Sequence, residues 1–164
     1  MAAQTPRELQ IYTVLENKYG HVSAERYLSG IGTVDVYRAI CQIDGQLPVF
    51  ERAAQISQAA IDGQCDASSE TMELFCKWLG IISGNLAVTL GATGGIYIAG
   101  GIVPRLGEYF LNSSFRHWLF NKGRFEVFVE EMPVTLVQSG EPALYGTYTC
   151  LQKHYDLFGF TATR

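Results

Sequence analysis

Gly91-Ala92-Thr93-Gly94-Gly95-Ile96-Tyr97-Ile98-Ala99-Gly100-Gly101 is the stretch that decides the fold class. Its centre is a short apolar run bounded on each side by a glycine pair. A strand buried on both faces reads this way, and such strands belong to α/β folds whose sheets are covered by helices. The second pair, Gly100-Gly101, ends the strand and leads into Val103-Pro104, where a helix restarts and runs to about Leu111. Glycine lets main chain approach a ligand because no Cβ intrudes, and open α/β sheets bind ligands at the carboxyl ends of their strands. Gly100 and Gly101 are therefore the first candidate binding residues, with a nucleotide as the ligand class. The same pair would also serve a tight turn and close helix packing.

Upstream lies the strongest periodicity in the chain. Met72, Phe75, Cys76, Leu79, Ile82, Leu86 and Leu90 recur at steps of three and four, the stripe of a long buried helix. Gly80 and Gly84 weaken that helix by propensity, so they are expected to admit a close backbone approach. At the N-terminus, Thr5-Pro6-Arg7-Glu8 reads as N-cap, N1 proline and N3 glutamate of a first helix that stops at Gly20. One or two helical turns are expected over Ser23 to Leu28, closed by Ser29-Gly30-Ile31-Gly32. Further helices are expected from Val34 to Gln42 and from Ile56 to Ile61. Downstream, Ser113 can cap another helix, Pro133 to Gln138 reads as a second strand with proline at its first position, and a last helix runs from Pro142 to about His154. Five or more helices around two strands is an imbalance, since two strands are too few for an independent sheet.

Composition sets the outer bounds. The chain has 164 residues, enough for one domain with a sizeable core, and 48% of them are apolar against 17% charged. A disordered chain is excluded by that balance. The net charge is −4 and no Lys/Arg cluster occurs, which argues against a nucleic-acid or anionic-membrane surface. Cys41, Cys65, Cys76 and Cys150 form no C-x-x-C pair and no metal spacing with the histidines, so no metal-ligating residue is assigned and a reduced, cytoplasmic setting is expected. Met1 to Gln10 has no signal-peptide core, and the longest apolar stretch is broken by glycines. No repeat or linker divides residues 1–164, which are expected to form a single unit. Neither a P-loop nor a complete G-x-G-x-x-G is present, and Ser29-Gly30-Ile31-Gly32 is only a fragment of the latter.

His21-Val22-Ser23-Ala24-Glu25-Arg26 gathers an imidazole, a hydroxyl, a carboxylate and a guanidinium within six residues. Glu25 could accept hydrogen bonds from substrate hydroxyls. It could equally pair with Arg26 or a lysine on a solvated helix face. Trp78, Trp118 and the phenylalanines from Phe110 to Phe128 read as core rather than as a stacking platform, and Lys122-Gly123-Arg124 as a loop rather than a phosphate-binding run.

Together these motifs resemble bacterial ATP-dependent glucokinases. Gly20-His21-Val22-Ser23-Ala24-Glu25-Arg26 with Leu28-Ser29-Gly30-x-Gly32, then Tyr37-Arg38-Ala39-Ile40, Gly84-Asn85-Leu86-Ala87, the stretch from Gly91 to Arg105, Lys122-Gly123-Arg124-Phe125 and Met132-Pro133-Val134 follow the family's order over nearly the whole chain. The resemblance implies an actin-like, ribonuclease H-like sugar-kinase fold of the α/β class, helix-rich here and with few of its strands. It also implies transfer of the ATP γ-phosphoryl group, with Mg²⁺, to the 6-hydroxyl of glucose. By position, Glu25 would hydrogen-bond a glucose hydroxyl, and Gly100 and Gly101 would border the adenosine. No C-x-C-G zinc pattern is present, which favours this group over related zinc-containing sugar kinases and repressors.

The departures are as informative. The family's D-x-G-G-T-N phosphate loop, the N-D pair with the catalytic aspartate, the G-x-G-T-G-L-G loop and the E-G-G-H sugar contacts have no counterpart, so no catalytic residue is assigned. Leu144-Tyr145-Gly146-Thr147-Tyr148 is bulkier than the small-residue run found there in the family. The expectation is a C-terminal portion of the large domain, starting just after the sugar contacts, inactive alone and needing an N-terminal half. Homodimer formation is also expected. The alternative reading is a non-catalytic binding or dimerisation module that keeps a remnant of the fold.

Overall fold

A computed structural model describes residues 3–138 and 140–158. Helix α1 (Pro6–Tyr19) starts as its sequence dictates: the Thr5 hydroxyl accepts from the Glu8 amide at 3.1 Å, Pro6 occupies the first turn, and Gly20 closes the helix at φ +71°. A one-turn helix α2 (Glu25–Leu28) leads into α3 (Gly30–Ile43), and α4 (Ala53–Ile61) follows after an irregular connection. Here the structure corrects the sequence reading. Helix α2 does stop at Ser29, as expected, but the glycines after it are no loop: Ser29 is also the N-cap of α3, accepting from the Gly32 amide at 3.0 Å, and both glycines lie inside that helix.

The 25-residue helix α5 (Asp66–Leu90) is the spine of the molecule, about 37 Å long at 1.5 Å per residue. It ends at Gly91 in the left-handed region, φ +58°. Helices α2, α3 and α4 pack along its N-terminal part, and α8 (Phe115–Phe120) crosses it further on. Gly80 and Gly84 make that crossing possible. A Cβ on Gly80 would overlap the Phe115 carbonyl oxygen, and one on Gly84 would overlap the Leu119 carbonyl oxygen and the Lys122 side chain. The core follows the spine, with Tyr27 edge-on to Trp78 at 4.1 Å and Phe110 against Phe115 at 4.7 Å.

Between α5 and α8 run β1 (Ile96–Ile98), α6 (Ile102–Leu106) and α7 (Glu108–Leu111). The single helix expected through Leu111 is broken at Gly107, whose φ of +51° interrupts the helical path. Ser113 does act at the start of α8, its hydroxyl accepting from the Phe115 amide at 3.3 Å and donating to the Phe110 carbonyl at 2.7 Å. After α8 come a 3₁₀ turn at Gly123–Phe125, α9 (Glu126–Glu130), β2 (Val134–Leu136) and α10 (Pro142–Phe158), which extends past the expected stop at His154.

The two strands form a parallel pair in which Ile96 faces Val134, Tyr97 faces Thr135 and Ile98 faces Leu136. The expectation of a strand buried on both faces is corrected: Ile98 is buried, but Tyr97 is 69% exposed. The inner face opens on an apolar hollow of 260 Å³ lined by Ile98, Phe110, Phe115, Phe120, Met132 and Leu136 among others. Helix α10 presents Leu144, Tyr145, Tyr148 and Leu151 to solvent, each more than half exposed. These are apolar surfaces of the kind that other elements usually cover.

Candidate functional site

The glycine turn and the Glu25 turn are the two candidate sites, and local geometry shapes each of them. At the carboxyl end of β1, Gly100 adopts φ +121°, a conformation for glycine only, and Gly101 is the N-cap of α6. No heavy atom lies within 4 Å of where a Cβ would stand on either residue. Bare main chain is therefore open to solvent just ahead of a helix. The turn fits a flat group such as a nucleoside lying along it, since no side chain would intervene.

Glu25 is the first residue of α2, and its side chain is exposed. Among the described residues it makes neither a hydrogen bond nor an ion pair, so the pairing with Arg26 that the sequence left open is not made. Arg26 instead lies over the Tyr19 ring, 3.7 Å from the centroid. Val22 and Tyr27, on either side, are buried. The turn is thus anchored through its neighbours while the carboxylate points free. His21 is exposed two residues beyond the end of α1.

Helix α3 joins the two sites. Its first turn carries Gly32, packed against the Glu25 and Arg26 carbonyls, and Thr33. Thr33 lines a narrow crevice with Ala53, Ser57, Met72, Ile102 and Arg105, so the start of α6, directly after Gly101, borders the same crevice as α3 and α4. The sequence reading places Gly32 in a turn and does not single out Thr33. The available signal was a glycine one turn inside a helix, which costs about 1 kcal/mol relative to alanine and so implies a packing reason.

Lys122 and three of the chain's five aspartates have structural partners. Lys122 donates to the Trp118 carbonyl at 2.7 Å and the Asn121 carbonyl at 3.3 Å, covering the C-terminal end of α8, and burial lowers its pKa. Buried Asp35 accepts from Lys18 at 2.7 Å and from the Tyr19 hydroxyl at 2.6 Å. Asp44 takes a two-pronged contact from Arg7, and Asp62 accepts from Gln58. Asp66 begins α5, and the side chain of Asp156 lies outside the described residues. Among the described residues no group of three or more His, Cys, Asp or Glu could hold a metal ion, so Mg²⁺ has no fitting ligand set in them.

Comparison with known proteins gives a consistent picture. The family model described as Glucokinase matches residues 1–154. A glucokinase from Aromatoleum aromaticum is 44% identical over 163 residues, covering 99% of this chain and 49% of its own length. One from Cronobacter sakazakii is 46% identical over 145 residues, covering 88% of this chain and 45% of its own length. The crystal structure of a glucokinase from an Antarctic psychrotroph superposes with a TM-score of 0.81 at 36% identity, covering 93% of this chain and 47% of that one. The chain spans about half the length of the relatives it matches.

Proposed function

Because the chain belongs to the glucokinase family, we propose that residues 1–164 form one unit, the C-terminal portion of the large domain of an ATP-dependent glucokinase. The complete enzyme would transfer the γ-phosphoryl group of ATP to the 6-hydroxyl of glucose in the cytoplasm. In this reading Glu25 accepts hydrogen bonds from a glucose hydroxyl, and Gly100 and Gly101 border the adenosine of ATP. The observation that carries the reading is the free carboxylate of Glu25 on a turn whose neighbours are packed. A charged acceptor without an internal partner is suited to a polyol ligand, whose hydroxyls each bring a donor.

Phosphoryl transfer needs phosphates, metal and base positioned together. Mg²⁺, when bound with ATP, would neutralise charge on the transferring phosphate. The chain's own residues supply a sugar contact and a nucleotide wall, while Asp35, Asp44 and Asp62 are engaged in structural contacts. The base and the phosphate loops would therefore come from an N-terminal half, and the chain alone is inactive. That half would also cover the apolar hollow beneath β1 and β2 and the exposed face of α10. Without it, these faces favour self-association, in the simplest case a homodimer. No helix among the described residues is long and apolar enough to cross a membrane.

The test is the Glu25→Gln variant in the chain completed by an N-terminal half. Losing a charged hydrogen bond is expected to raise the KM for glucose or lower kcat, with kcat/KM down by about tenfold or more. An unchanged kcat/KM for glucose would remove Glu25 from the site.

A further inference from the structure

We propose that Gly32 is a positioning residue for the sugar contact: the absence of a side chain there lets the first turn of α3 seat directly beneath the main chain of Glu25 and Arg26. The inference rests on the proposed role of Glu25 in holding glucose. A Cβ added to Gly32 would lie 2.6 Å from the Arg26 carbonyl oxygen and 2.8 Å from that of Glu25. Real Cβ atoms do not approach backbone oxygens so closely, and because the near atoms are all main chain no flexible group is there to give way. A methyl group at this position must push α2 away from α3.

Two further contacts make α2 sensitive to such a push. Ser29 holds Gly32 in place, its hydroxyl accepting from the Gly32 amide at 3.0 Å while its carbonyl accepts from the Thr33 amide at 2.8 Å. On the other side, Tyr27 is wedged against Trp78 at 4.1 Å and Arg26 lies over Tyr19. The Glu25 backbone is held between these anchors and α3, although its side chain is exposed. Hydrogen bonds to a sugar hydroxyl are sensitive to displacements of about 1 Å, so the seat beneath the turn sets the sugar affinity. Gly30, two residues earlier in the same helix, is a built-in control. A Cβ there would meet only the Ala53 methyl, at 4.0 Å, an ordinary contact.

The test compares Gly32→Ala with Gly30→Ala, by two measurements. In the 164-residue chain, amide hydrogen exchange at Tyr27 and Leu28 is expected to quicken about tenfold in Gly32→Ala, with protection in the middle of α5 retained and Gly30→Ala unchanged. In the completed enzyme, Gly32→Ala is expected to raise the KM for glucose by about tenfold and leave the KM for ATP unaltered. Unchanged exchange at Tyr27 and Leu28, or an unchanged KM for glucose where Glu25→Gln raises it, overturns the inference. An unchanged kcat/KM for glucose in Glu25→Gln itself overturns the role of Glu25, and hydrogen exchange then still decides whether Gly32 seats the turn. Should Gly32→Ala fail to fold, Ser29→Ala, which removes the hydroxyl holding Gly32, is expected to quicken exchange at the same two amides, and no change there is decisive against the proposal.

Discussion

The Lys77 ammonium lies 2.6 Å from a carboxylate oxygen of Glu8, joining the first turn of α1 to the middle of α5 across 69 residues of sequence. Both side chains are largely buried, and Lys77 also sits 4.0 Å above the Trp118 ring. The other Glu8 oxygen accepts from the Gln4 amide at 3.0 Å. Removing one partner of a buried pair leaves the other charge without compensation. Lys77→Met is therefore expected to lower the unfolding free energy by about 3–5 kcal/mol. Lys77→Met combined with Glu8→Gln is expected to recover part of that loss. Urea denaturation of the two variants checks this, and a neutral Lys77→Met would show that the pair contributes nothing.

The close crossing of α5 and α8 predicts a penalty for the smallest possible addition. Gly80→Ala should stabilise an exposed helix, since alanine is favoured over glycine by about 1 kcal/mol. Here the added methyl meets the Phe115 carbonyl, and the net effect is expected to be a destabilisation of about 1–3 kcal/mol. A raised melting temperature in Gly80→Ala would contradict the packing described.

Acid stability provides a check on Arg7. The Arg7 guanidinium, hydrogen-bonded to both Asp44 oxygens at 2.7 Å, holds the Asp44 carboxyl below its usual pKa. A carboxyl whose pKa is depressed by folding contributes stability that is fully present above its unfolded value, about 3.9, and is lost as the pH falls through the lower folded value. The stability gap between the native chain and Arg7→Gln is thus expected to be constant above about pH 5 and to narrow below about pH 4. A gap unchanged down to pH 2 would contradict a stabilising role for the Arg7–Asp44 contact.

The four thiols are expected to react in an order set by burial. Cys150 is exposed, Cys65 is partly buried, and Cys41 and Cys76 are buried. Burial pushes the Cys76 thiol up to about 12 and raises that of Cys41, so little thiolate exists at neutral pH. Titration with a thiol-reactive disulfide in native buffer should label Cys150 promptly and Cys41 and Cys76 only on unfolding. Prompt labelling of Cys76 would contradict the packing of α5.

Features of the fold that depend on neighbours in sequence were legible, and those that depend on distant arrivals were not. Thr5, Pro6 and Glu8 announce the start of α1 because capping is a contact over three residues. Nothing near Glu8 announces that Lys77 will bury it. Gly80 and Gly84 mark close approaches in the sequence because they interrupt an otherwise apolar stripe, whereas Gly32 stands among turn-forming residues that hide its packing role. The open face of β1 was also invisible, since an apolar run reports what a strand avoids and not which elements are present to cover it. Of the candidate site, the Gly100-Gly101 turn was readable from its glycine pair alone. Glu25 needed the resemblance, because an exposed glutamate at the start of a helix carries no local mark of a ligand.

Glucose-dependent ADP production is the most direct measure of the central claim, assayed on the purified 164-residue chain with and without a separately produced N-terminal glucokinase half. No turnover by the chain alone and clear turnover in the mixture is the predicted result. Turnover by the chain alone, or no turnover when both halves are folded and bound to each other, would contradict it.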